Sequence, residues 1–184
     1  MLFQMPKPVK IMGRSSSITN AFVNGIIPCI EPSENEVKEA ISILEMDERN
    51  IQCIYCGNVA TEWDHLRPLI IGKKPTGYIS EIHNLVPACG KCNQSKGNKE
   101  WKLWINSNAK LSPKMKGVTD IEKRIKLLEK YEKWGEPKKI DFVNIVGKEL
   151  WDTHWKNYDK LIELMKECQA TSDTIKESIK KKYK

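Results

Sequence analysis

The residues of this chain best equipped for chemistry are four cysteines in two Cys-x2-Cys pairs, with a carboxylate, histidines and amides between and just after them. Cys53 and Cys56 are followed, 32 residues later, by Cys89 and Cys92. Two such knuckles place four thiolates around one ion, and Zn2+ accepts tetrahedral sulfur ligation with no geometric preference of its own. Cys29 and Cys168 stand apart. In a reducing compartment, paired motifs of this kind point to metal more than to disulfides. Coincidental buried thiols are the alternative, and redox chemistry lacks its usual βαβ setting. With all four positions filled, the zinc is expected to be structural, tying small elements together where a hydrophobic core is thin. Gly57 and Gly90 stand where tight knuckle turns favour a residue without a Cβ.

The elements that position these residues are short. IQCIYC carries the first knuckle, TEWDHL reads as a strand, and HNLVPAC reads as a second. Between them, Pro68, Gly72, Pro75 and Gly77 mark residues Arg67 to Glu81 as a loop. A helix is predicted from about Cys92 to Ile105, weakened slightly by Gly97. Upstream, Pro6, Pro8, Gly13, the Ser15–Ser17 run, Gly25 and Pro28 argue against a long regular element in the first thirty residues. That segment reads equally as an arm that orders on a partner or an extended lead-in. Ser33 with Glu36 forms a capping box, and Val37, Ala40, Ile41 and Leu44 follow at helical spacing. Downstream, Thr119 with Glu122 makes a second box, Ile121, Ile125, Leu128 and Tyr131 share a face, and Gly135 and Pro137 stop that helix. A last helix carries Trp151, Trp155, Tyr158, Ile162 and Met165 as a stripe, read as core or dimer seam, before a lysine-rich end expected to fray.

Charge is concentrated. The formal net charge of +7 divides into −4 over residues 1–65, +8 over 66–116 and +3 over the remainder. A basic segment around a cysteine-rich site is the footprint of a polyanion partner or a solvated lysine-rich surface. A hydrophobic fraction of 40% suits a globular protein, and no run approaches the roughly 18 apolar residues of a membrane span. The N-terminal segment has no uninterrupted apolar stretch of the secretory kind, so the cytoplasm is the expected compartment.

Trp63-Asp64-His65-Leu66, then His83-Asn84-Leu85-Val86-Pro87, then Cys92-Asn93-Gln94-Ser95-Lys96-Gly97-Asn98 together resemble the HNH, or ββα-metal, nuclease motif. The resemblance covers about residues 51–106 and implies an α+β fold: a small ββα-metal module with a structural zinc, flanked by N-terminal and C-terminal helices. The expected divisions are 1–50 as arm and helix, 51–106 as the module, and 107–184 as a helical region for dimerisation or DNA contacts. Phosphodiester hydrolysis needs an activated water and a charge sink for the leaving oxygen. His65 suits the general base, since its pKa lies near neutrality. Asp64 and Asn93 offer hard oxygens to a catalytic Mg2+ or Mn2+. The resemblance makes Asn84 the residue that holds the His-bearing loop, and implies 5′-phosphate and 3′-hydroxyl products. Asn93 stands where many members have His. Asp64 and His65, as strand neighbours, share one site only if the strand ends or bulges there.

Arg67, Lys91, Lys96 and Lys99 are candidates for phosphate contact, with Lys96 best placed by motif position; solvated lysines are the plainer alternative. His83 reads as structural or phosphate-contacting, His154 as packed or at the surface, and Trp63 as core. The expected function is a type II restriction endonuclease acting on double-stranded DNA as a homodimer, whose two-fold axis matches a palindromic site. A homing or phage-borne nuclease, a zinc-dependent DNA-binding module without catalysis, and an RNA-cleaving toxin are the competing readings.

Overall fold

The computed structural model describes residues 3–183. It forms two compact units, one of Val23–Ile140 and one of Met1–Phe22 with Asp141–Lys184. Among the described residues no helix is long and apolar enough to cross a membrane.

In the Val23–Ile140 unit, α2 (Glu34–Ile43) starts as its sequence dictates. Ser33 accepts from Glu36 N–H, and Glu36 accepts in return from Ser33 N–H. Strand β1 (Glu62–His65) pairs antiparallel with β4 (Leu85–Ala88), with Asp64 opposite Val86 and His65 opposite Leu85. The loop between them is less irregular than its prolines and glycines suggest. Two short strands, β2 (Ile70–Ile71) and β3 (Lys74–Pro75), close a small hairpin, and a 3-10 turn (Ile82–Asn84) leads into β4.

The single helix expected from Cys92 to Ile105 is two. Helix α3 (Gly90–Lys96) stops at Gly97, and α4 (Trp101–Ile105) restarts where Glu100 accepts from Leu103 N–H. Helix α5 (Ile121–Trp134) lacks the expected Thr119–Glu122 box. Its N-cap is Asp120, whose carboxylate is drawn away to the Arg124 guanidinium. Leu127, Leu128 and Tyr131 of α5 pack with Leu44, Ile54, Val86, Trp101 and Trp104 into one core around the sheet. The Tyr131 hydroxyl donates to the carbonyls of Ile82 and Leu85, which fastens α5 to the start of β4.

In the other unit, a 3-10 turn (Ile11–Arg14) runs into α1 (Ser15–Asn24), a regular element where the sequence signals argued against one. What holds it is tertiary. Phe22 packs its ring 5.2 Å from His154 and 5.3 Å from Tyr158, and Thr19 shares a 2.8 Å hydrogen bond with the Tyr158 hydroxyl. Helix α6 (Phe142–Val146) precedes α7 (Lys148–Lys182), and Trp155 and Tyr158 of the aromatic stripe are buried inside this unit. The lysine-rich end stays helical through Lys182 in place of fraying. Glu177 and Lys180 pair at 2.7 Å on that last stretch.

Candidate metal and catalytic site

The two knuckles converge. Cys53, Cys56, Cys89 and Cys92 place their sulfurs within 4.8 Å of one another, the only such group of three or more potential metal-binding side chains among the described residues. Cys56 and Cys89 sulfurs are 3.7 Å apart, close to the edge of a tetrahedron built on zinc–sulfur bonds of about 2.3 Å. Hydrogen bonding to Cys56 and burial push the Cys53 thiol up to about 11, so four thiolates so crowded call for a cation. The site therefore fits zinc in both geometry and donor chemistry. Lys116 places its ammonium 3.1 Å from Cys92 Sγ, countering the excess negative charge of four thiolates. Arg124 binds the carbonyls of Cys53 and Ile54 and anchors the first knuckle to α5.

The two knuckle glycines differ. Gly57 has φ +75°, and a Cβ there would meet Arg124 Nη2 at 2.6 Å. Gly90 has no such backbone, and a Cβ there would meet only the movable end of the Glu62 side chain, Oε1 at 2.8 Å, so the turn does not depend on glycine at this position.

Next to this clamp, β1 lies against α3 and alternation on the strand aims Glu62 and Asp64 at the helix. Asn93 Nδ2 donates to Glu62 Oε2 at 2.7 Å, and Lys96 Nζ lies 3.0 Å from Asp64 Oδ2. Asp64 is 3% exposed and also accepts from the Tyr55 hydroxyl at 2.6 Å. Burial raises its carboxyl above the ordinary range, opposed by Lys96 and Tyr55. Burial lowers the Lys96 ammonium, opposed by Asp64. Lys96 also donates to the His65 carbonyl at 2.7 Å. Being 0% exposed, it is not a surface phosphate contact, which corrects its assignment from motif position. The Asn93 amide bonds Glu62, and Asp64 bonds Lys96 and Tyr55.

His65 ends β1, where neighbouring side chains separate. Its Nε2 shares a 2.8 Å hydrogen bond with Ser80 Oγ, while Asp64 faces α3. Burial and the Lys96 charge push the imidazole down to about 4, so the ring is neutral at neutral pH. Asn84 is fully buried. Its Oδ1 accepts from Arg67 N–H at 2.8 Å and its Nδ2 donates to Arg67 O at 3.1 Å. The chain leaving His65 is thus gripped on both sides of one residue.

For a hard divalent cation the donor types fit. Asp64 and Glu62 are carboxylates, and Asn93 Oδ1 accepts no hydrogen bond among the described residues. The Lys96 ammonium supplies the positive charge that balances Asp64 in this arrangement.

Lys91 and Lys99 are exposed, the latter donating to Ser95 O at 2.8 Å, and Arg67 is half-buried. Trp63, expected in the core, is 56% exposed at the edge of an apolar pocket lined by Val37, Ile41 and Pro87. His83 packs 4.3 Å from the Trp134 ring, and His154 Nε2 donates to Phe22 O at 3.1 Å, both inside the fold. Sequence reasoning missed Tyr55, Glu62, Ser80, Lys116 and Arg124. Of these only Glu62 carried a signal, two positions before Asp64 on the same strand face.

Residues 53–99 match the family model described as HNH endonuclease. A stretch of 68 residues is 35% identical to the CRISPR-associated endonuclease Cas9 of Corynebacterium diphtheriae, covering 35% of this chain. The chain spans 6% of that relative's length. No solved structure matches the chain.

Proposed function

We propose that this chain is a metal-dependent DNA endonuclease in which His65 is the general base. The observation that carries this reading is the place of the His65 imidazole at the end of β1, bonded through Nε2 to Ser80 Oγ and one residue from the carboxylate that β1 turns toward α3. A neutral ring can take a proton from the attacking water. Asp64 and Asn93 would hold Mg2+ or Mn2+, and that ion supplies charge stabilisation at the leaving 3′-oxygen. Asn84 fixes the backbone at Arg67 and so the place of His65. Arg67, Lys91 and Lys99 would contact DNA phosphates, and cleavage would leave 5′-phosphate and 3′-hydroxyl ends. The zinc clamp stays structural.

Within this class the favoured role is a type II restriction enzyme cutting double-stranded DNA as a homodimer in the cytoplasm. Leu164, Ile175 and Ile179, all exposed on α7, supply apolar surface for a second copy. A homing or phage-type HNH nuclease uses the same site. A zinc module that binds DNA without cutting has no use for the His65 arrangement. The family match to an endonuclease, and not to a binding module, supports cleavage.

The test offers plasmid DNA and RNA side by side with Mg2+, Mn2+ or EDTA. Cleavage of DNA that EDTA abolishes, ending in fragments with defined termini, is expected. Absence of cutting in every metal removes the nuclease reading. Preference for RNA removes the DNA assignment, and random termini remove the restriction role.

A further inference from the structure

One residue beyond Leu66, the chain enters a second cavity that the catalytic reading does not use. It measures about 410 Å³, and Arg67, Tyr78, Trp101, Glu132 and Lys139 are among the residues that line it. Two cations converge on one ring there. Arg67 Cζ lies 5.9 Å from the Tyr78 ring centroid and Lys139 Nζ lies 5.6 Å from it.

Their charges are poorly answered from within the fold. Glu132 gives its close contacts to Trp101 Nε1 at 3.1 Å and Lys102 Nζ at 2.9 Å, leaving Arg67 Nη2 at 3.7 Å. Glu100 is engaged in capping α4. Arg67 Nη1 is enclosed without a hydrogen-bond partner, and Lys139 makes no ion pair among the described residues. An enclosed guanidinium donor without an acceptor costs stability, and two like charges at one ring repel.

The arrangement is nevertheless built. Asn84 clamps the Arg67 backbone on both sides. Lys139 pairs with Tyr78 as an antiparallel bridge, and Ile140 N–H donates to Gly77 O at 2.8 Å. Gly77 has φ +98°, and a Cβ there would meet Ile140 O at 2.9 Å, so only glycine admits the Lys139 segment this close.

A guanidinium fork with an ammonium beside it matches an anion bearing several oxygens. We infer that this pocket receives a phosphodiester of the DNA strand, next to the one that is cut, held between Arg67 and Lys139 beside Tyr78. The inference rests on the DNA reading above and adds Tyr78 and Lys139 to it. Arg67 lies two positions from His65, so their Cα atoms are at most about 7 Å apart and the bound phosphate belongs to the same stretch of strand as the reacting one.

The test measures affinity of the full chain for a labelled DNA duplex in EDTA across a salt series, so that binding is read without cleavage. Lys139→Gln with Arg67→Gln should lower the log–log salt slope by about 0.9, the value for one neutralised phosphate. Lys123→Gln, at an exposed lysine paired with Glu45, should leave the slope unchanged. Lys139 is exposed, so Lys139→Gln alone also tests the pocket where the double variant fails to fold. An unchanged slope, or an equal loss in Lys123→Gln, overturns the pocket. A loss near twice the single-phosphate value means two separate contacts and overturns the shared site. A wild-type chain that binds with the expected slopes yet never cuts sinks the nuclease reading and leaves the pocket standing. One that cuts while the pocket variants bind normally does the reverse.

Discussion

Burial and the nearby Lys96 ammonium both disfavour a charged imidazole at His65, which brings its pKa down to about 4. The active form of a general base is the neutral one. Lowering the pKa extends that form to more acidic solution, so cleavage should persist below the ordinary imidazole value and fall as pH drops through about 4. Single-turnover rates against pH check this; an acid limb near 6.5 would place the working ring in water. His65→Ala should abolish cleavage while DNA affinity in EDTA survives, and retained cutting would remove it as the base. The Asp64–Lys96 pair makes a separate prediction. Lys96→Met leaves a buried carboxylate without its cation, at a cost of about 3–5 kcal/mol, seen as a large fall in Tm. An unchanged Tm would mean that water reaches Asp64.

Elements place these residues, and here the sequence was legible where interactions are local. The Ser33–Glu36 box, strands β1 and β4 and the knuckle spacing all depend on neighbours a few positions away, and all are present. The family resemblance implied a loop-holding role for Asn84, and its side chain does bond the Arg67 backbone on both sides. What could not be read arrives from distant parts of the chain. Lys96 looked like a surface cation, yet its helix face meets Asp64 from 32 residues earlier. Arg124 took the Asp120 carboxylate that would otherwise cap α5, and Thr19 needed Tyr158 across 139 residues to hold α1. Trp63 read as core because it is large and apolar, but β1 alternation turns Asp64 inward and Trp63 outward. At this scale the four-cysteine cluster is the decisive joint, since it links the segment before β1 to the start of α3. Cys89→Ser should therefore unfold the module and not merely slow it, with loss of bound zinc and of near-UV circular dichroism. Full folding with zinc retained on three thiolates would refute that role.

At the scale of the whole molecule, the stabilising devices divide between the two units. The Val23–Ile140 unit holds the sulfur cluster and the core around Trp101, Trp104 and Leu128. The other unit has no part in the metal cluster. It rests on rings from Phe22, Phe142, Trp151, Trp155 and Tyr158, and on a helix of 35 residues. Zinc removal withdraws free energy only from the unit that binds it, because a metal stabilises a fold in proportion to its binding to the native state. Chelation at neutral pH should thus melt one unit first. Fluorescence and near-UV signals from Trp101 and Trp104 should be lost. Helical circular dichroism from α7 should remain, and should disappear in a second transition at a temperature that zinc does not change. A single transition that shifts as a whole with added zinc would show that the two units fold as one cooperative body, and the metal would then govern α7 as well as the unit that binds it.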